Sequence, residues 1–151
     1  MGNQSEASGE RSEEPHDIGV VRVARYAETD PWGSGGVALK DGCCPDESTL
    51  VAVWASPADG VAVGRGRDPS RLPDPTASVD VDDPVTVELA RYGRRCLARY
   101  STNGTDWHRL GPPLSVPASF RPTVLPFTTG ATGTVHIDPL TLRQRARPGD
   151  E

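Results

Sequence analysis

The side chains of this sequence that could break a bond are few and widely spaced. Ser/His/Asp catalysis needs a serine activated by a histidine, and the histidines are His16, His108 and His136. His16 stands in a polar leader, His108 follows Trp107, and His136 falls in the last apolar run. No Gly-x-Ser-x-Gly elbow occurs, and "WGSGG" does not join a strand to a helix. Sugar cleavage needs two carboxylates, commonly about 5 Å or about 6.5–9.5 Å apart. Asp80, Asp82, Asp83, Glu88 and Asp138 are the candidates. The aspartates of "VDVDDP" belong to a proline-rich loop, where solvated turn residues are expected, and Glu88 lies on a strand face opposite the core. Neither pattern predicts a catalytic centre.

The cysteines add no metal site. Cys43 and Cys44 are adjacent in "KDGCCPDE", without the two-residue spacer of a zinc knuckle, and no four-ligand set completes them. Reduced thiols with Cys96 in the core are expected. A disulfide from Cys43 or Cys44 to Cys96 is the competing reading, and it would place the chain in an oxidising compartment.

The elements that must position these groups are short. Apolar runs at 18–26, 35–40, 48–56, 61–65, 84–92, 95–102, 106–111, 120–127 and 133–143 alternate with Gly/Pro/Asn/Asp turns. That spacing predicts an all-β fold, an antiparallel sandwich or barrel. Val85, Val87 and Leu89 share one face opposite Thr86 and Glu88, and Cys96, Ala98 and Tyr100 oppose Arg95, Arg99 and Ser101. "TLVAVWA" is apolar on both faces, as in a central strand covered on both sides. The stretch "GRDPSRLPDPTASVDVDD" reads as a long loop, too rich in proline for a strand interior.

A 151-residue chain fits one domain with a real core. Residues 1–17 form an acidic polar tail, expected to be flexible. The sandwich occupies 18–143, and 144–151 is a polar C-terminal tail. The net charge of −5 sits mostly in the first tail, where five acids face Arg11. The near-neutral body gives no case for nucleic acid or for an anionic membrane. No run of 18 apolar residues exists. The N-terminus lacks a signal-peptide pattern and matches a myristoylation start only in part. As written, the sequence reads as cytoplasmic; a secreted domain whose signal was removed would read the same way.

"RYSTNGTDWHRLG" (99–111) carries four readings at once. Asn103-Gly104 between strands is a tight primed turn with positive φ at both residues. Asn103-Gly104-Thr105 is also a glycosylation sequon, expected to be incidental. Ser101 to Trp107 looks like a compressed aspartate box, in which Ser101 or Asp106 holds loop amides. Trp107 and His108 beside Asp106 could belong to a site. The architectural reading is preferred, with Tyr100 and Trp107 packing from the two arms.

Taken in order, "GSGGVALKDG", "STLVAVWASPADGVAVGRGR", "PVTVELARYGRRCLARYSTNGTDWHRLG" and "VLPFTTGATGTVHIDPLTL" resemble the bacterial concanavalin A-like lectin/glucanase superfamily. The nearest branch is the small sandwich domain found alone or attached to β-xylosidases. The Tyr-Ser-Thr-Asn-Gly-x-x-Trp hairpin is the most specific element. The resemblance implies a jelly-roll sandwich and a carbohydrate context. Two features depart from it. Family domains carry one or two more strands before residue 18, and the Glu-x-Asp-x-x-Glu strand of the glucanases is absent.

The function this implies is a non-catalytic module that binds carbohydrate or serves carbohydrate metabolism. The alternative is a structural or interaction domain pairing through a sandwich edge, with a second copy or a partner protein. A glycoside hydrolase is a distant third. Such folds stack aromatic rings on sugar faces beside a few polar groups. On that basis Trp32, Trp54, Arg65, Arg67 and Arg99 are the ligand-contact candidates, with the three arginines expected to line one face. Trp54 is expected to face either the core or the concave sheet. No cofactor is implied, apart from calcium by family association, for which no EF-hand-like spacing speaks.

Overall fold

The computed structural model describes residues 15–25, 34–41, 49–56, 60–67, 73–81, 84–129 and 135–144. Every regular element among them is a strand: β1 (Asp17–Arg25), β2 (Ser34–Asp41), β3 (Leu50–Ser56), β4 (Gly60–Gly66), β5 (Ala77–Val79), β6 (Val85–Tyr92), β7 (Arg95–Ser101), β8 (His108–Arg109), β9 (Leu114–Ser115), β10 (Pro122–Thr129) and β11 (Val135–Gln144). All pairings are antiparallel. One sheet runs β11-β1-β6-β7-β8, with β9 also on β7, and the other runs β10-β2-β3-β4-β5.

Period-two alternation explains how the sheets face each other. From the first sheet, Val21, Val23, Val85, Val87, Leu89, Cys96 and Ala98 point inward. They meet Val37, Leu39, Val51, Val53, Val61, Val63 and Val124 of the second in one buried cluster. β-branched valine dominates because it packs well on a pleated surface and gives up little side-chain freedom there. Leu110, Val116 and Phe120, from the segment after β8, join the same cluster. The body is therefore a two-layer β-sandwich around one core.

The strands match the expected apolar runs closely, with three differences. The proline-rich stretch after β4 contains the short strand β5, on Val61 to Val63. Leu114–Ser115 forms β9 on Arg95 and Cys96. The tight primed turn lies at Gly93-Arg94 instead of Asn103-Gly104. Tyr92 pairs with Arg95 around it, and Gly93 has φ +65° while no non-glycine described residue has positive φ. That is the pattern of a type II′ turn, whose first central residue is glycine.

β3 is central in its sheet, so its second face is also covered. Trp54, Leu50 and Ala52, with Ala38 of β2 and Ala62 of β4, form a second buried apolar cluster outside the inter-sheet core, with Phe127 against it. A Cβ on Gly64, on the same side, would stand 2.4 Å from the Asp74 carbonyl oxygen. The segment 73–74 thus lies directly on this face, and only glycine leaves room for it.

Candidate functional site

The outward side of the first sheet is built by the same alternation. Cys96 and Ala98 point inward, so Arg95, Leu97 and Arg99 point outward on β7. Val20, Glu88, Arg99 and Arg109 stand in one row across β1, β6, β7 and β8. Glu88 is only 5% exposed although it faces away from the core. The cause is its cross-strand neighbour: the Arg99 Nε donates to Glu88 Oε1 at 2.8 Å. Arg99 Nη2 donates to the same oxygen. The Arg99 guanidinium in turn lies 4.8 Å from the centre of the Trp107 ring. Carboxylate, guanidinium and indole are therefore layered, the ion pair supplying charge balance and the indole a cation–π partner. Arg99 keeps 42% of its side chain exposed.

Trp107 is delivered by the loop between β7 and β8, whose frame is side-chain made. The Ser101 hydroxyl accepts the amides of Gly104 (2.8 Å) and Asn103 (3.3 Å). Asn103 Oδ1 accepts the amides of Thr105 (2.9 Å) and Asp106 (2.8 Å), and Asn103 Nδ2 donates to Asp106 Oδ2 at 2.8 Å. Only Gly104 takes positive φ, +84°, so the expected two-residue primed turn is replaced by a loop organised around Asn103. Such a hub is the Asx-type satisfaction of loop amides expected of an aspartate box. The two aromatics of the arms occupy opposite faces. Tyr100 packs on the core and meets His108, ring centres 5.2 Å apart, while Trp107 lies outward on Arg99.

The residues expected from sequence to contact a ligand are not gathered. Trp32 lies outside the described residues, as do Cys43, Cys44, Asp82, Asp83 and the tail before residue 15. Trp54 faces away from the inter-sheet core but is 1% exposed within its own cluster. Arg65 occupies the inward register opposite Val51 at the end of β4, and its Nη1 donates to the Ser115 carbonyl at 2.5 Å, tying the two sheets together. Arg67 is exposed just beyond β4. Arg99 alone sits on the outward side of the first sheet. The three arginines do not line one face, because Arg65 and Arg99 have opposite registers on different sheets. Glu88 and Trp107 are the partners the sequence reading assigned to surface and to packing.

A second buried carboxylate is locked at the strand ends of this sheet. Asp17, 2% exposed, accepts from Arg91 Nε at 2.5 Å, which joins the start of β1 to the end of β6. Cys96 beside them is a free, buried thiol. Burial pushes its pKa up to about 12, against the lowering effect of Arg91. Such a thiol is not a nucleophile. No group of three His, Cys, Asp or Glu side chains that could hold a metal occurs among the described residues. Among the described residues no helix is long and apolar enough to cross a membrane.

No known family matches this sequence, and no curated protein does. The fold is similar to part of a xylan β-1,4-xylosidase from Bacillus halodurans, with TM-score 0.54 and 11% identity over 82% of this chain and 26% of that one. It is likewise similar to part of a mutant of the GH43 protein BlXynB from Bacillus licheniformis, with TM-score 0.50 and 11% identity over 84% and 27%. This chain thus spans about a quarter of the length of either. What it shares with them is an all-β sandwich architecture.

Proposed function

We propose that the chain is a non-catalytic, carbohydrate-binding β-sandwich module of the concanavalin A-like, jelly-roll type, accessory to carbohydrate metabolism. The observation that carries this reading is the stack of Glu88, Arg99 and Trp107 on an open sheet face. An indole beside a half-exposed guanidinium is the combination that packs on a sugar ring and hydrogen-bonds its hydroxyls. The ion pair occupies Glu88 Oε1, so the carboxylate is committed to Arg99 and is not a free acid or base. Sandwich likeness to a quarter of a β-xylosidase chain supports the same context. Trp54 is set aside as a contact because its ring is covered.

The test is affinity electrophoresis against a panel of polysaccharides, with Trp107→Ala as the control variant. Retardation by at least one glycan, lost in Trp107→Ala while the melting temperature is kept, is expected. No retardation by any glycan, together with a dimer by light scattering, sinks this reading.

That second outcome would favour the interaction module. One observation speaks for it: Leu125, Leu140 and Leu142 are the exposed large apolar side chains of the described residues, and all lie on β10 and β11. Against it, these edges are blunted. β10 carries Pro122 and Pro126, and β11 carries Pro139 beside a register shift at Val20/Val21. Proline and bulges are the devices that keep sheet edges from pairing.

A further inference from the structure

The outward side of the first sheet also points to the kind of glycan, an inference that rests on the module reading above. The whole chain has a net charge of −5, yet this side is basic. The registers place Arg22 on β1, Arg95 and Arg99 on β7, and Arg109 on β8 on the same side. Arg22, Arg95 and Arg109 are exposed. The ion pairs Glu88–Arg99 and Asp17–Arg91 involve none of these three. Three of these four arginines, Arg95, Arg99 and Arg109, lie on β7 and β8, so the positive charge concentrates there. There Arg99 and Arg109 are directly opposite each other, at a Cβ separation of about 5 Å. Like charges so placed destabilise a sheet. Glu88 offsets Arg99 only, which leaves Arg109 to repel it. An anion seated between them would remove that repulsion.

We infer that this face takes an acidic polysaccharide, one whose uronic-acid carboxylates dock on Arg95 and Arg109 while a sugar ring packs against Trp107. The guanidinium fork matches a carboxylate with two parallel hydrogen bonds, which an uncharged hydroxyl pair cannot do as strongly. Arg95 and Arg99 are four residues apart on one strand, about 13 Å along it. A chain laid across β7 and β8 therefore meets cations at more than one point. The partner is extended and polymeric, because the cations are spread along β7 and β8 instead of gathered at one point.

Three probes decide the matter: polygalacturonate, neutral arabinoxylan and polyglutamate, each measured by affinity electrophoresis with the intact chain. Polygalacturonate is expected to bind at least tenfold more tightly than arabinoxylan at low salt, with the advantage shrinking as salt rises. Arg95→Ala/Arg109→Ala is expected to lose at least tenfold in affinity for polygalacturonate and nothing for arabinoxylan, with a melting temperature no lower than that of the wild type. Equal binding of the two polysaccharides, or wild-type binding by the double variant, overturns the acidic specificity and leaves the module reading in place. Polyglutamate binding as tightly as polygalacturonate overturns it as well, since charge alone would then account for the contact. Binding of neither polysaccharide overturns the acidic specificity, while the module reading stands or falls on the whole glycan panel.

Discussion

The two outward faces of this sandwich obey the same alternation and do opposite things with it. On the second sheet the outward residues are Ala38, Ala52, Ala62, Gly64 and Trp54; Phe127 packs against this cluster, and the chain at Pro73 and Asp74 lies over Gly64. On the first sheet they are Glu88, Arg95, Leu97, Arg99 and Arg109, with Trp107 folded over the guanidinium and the arginines open to water. A tryptophan on an outward face is therefore not by itself a ligand contact: what lies over it decides. The sharpest break of this contrast is Trp54→Ala. Removing a fully buried indole leaves a cavity and costs about 3–5 kcal/mol. Urea denaturation should show that loss, and a change below about 1 kcal/mol would mean that Trp54 is open after all.

On the other face the comparison turns on which half of an ion pair is removed. Arg99→Ala strands the 5%-exposed Glu88 without its cation. A fully buried pair so broken loses about 3–5 kcal/mol; with Arg99 42% exposed, water can enter, and about 2 kcal/mol is expected. Glu88→Gln leaves a guanidinium that water re-solvates, at a cost below about 1 kcal/mol. Equal losses for both variants would mean that Glu88 is as solvated as its partner.

How much of this was legible follows from the range of the forces involved. Strand positions are written in short apolar runs between turns, a local signal that β1 to β4, β6, β7 and β10 obey, and period-two alternation orients the inward side chains of β6 and β7. Trp54 is ambiguous in sequence because alternation sets which face it takes but not whether that face is covered, and its cover comes from neighbouring strands and Phe127. Arg65, Arg67 and Arg99 were grouped by type, yet register decides direction, and one residue of offset sends Arg65 inward and Arg99 outward. The Glu88–Arg99 pair was readable in principle. Once β6 and β7 are taken as a hairpin turning at Gly93-Arg94, Glu88 and Arg99 fall opposite each other. Asn-Gly drew attention to the wrong loop because the same dipeptide also serves an Asx hub.

β7 itself contains the comparison in miniature: Arg99 outward, Cys96 inward. Burial holds the Cys96 thiol protonated, with a pKa of about 12 against an ordinary 9.0. At pH 8 both folded and unfolded chains keep the proton, so the group does not affect pH-dependent stability. Between pH 9 and 12 the unfolded chain sheds the proton while the folded chain retains it, and folding weakens by up to about 1.4 kcal/mol per pH unit. Cys96→Ala removes this slope. Its stability deficit relative to wild type, read from urea melts, should therefore narrow as pH rises from 8 to 11. A gap that stays constant would show that the thiol is already hydrated.

The smallest effect belongs to the loop that carries Trp107. Asn103→Ala deletes the acceptor of the Thr105 and Asp106 amides, but both amides are at the surface and water replaces the lost bonds. The net cost is about 1 kcal/mol, that of ordinary hydrogen bonds. The consequence should be local. Hydrogen exchange at Thr105 and Asp106 should accelerate while the amides of β3 under Trp54 keep their protection, since the two faces share only the core between them. Glycan retention should weaken with it, because the loop sets where the indole meets Arg99. If instead Asn103→Ala loosened β3 as much as Trp54→Ala does, the two faces would form one cooperative unit, and the open face could not lose binding without the covered one losing stability.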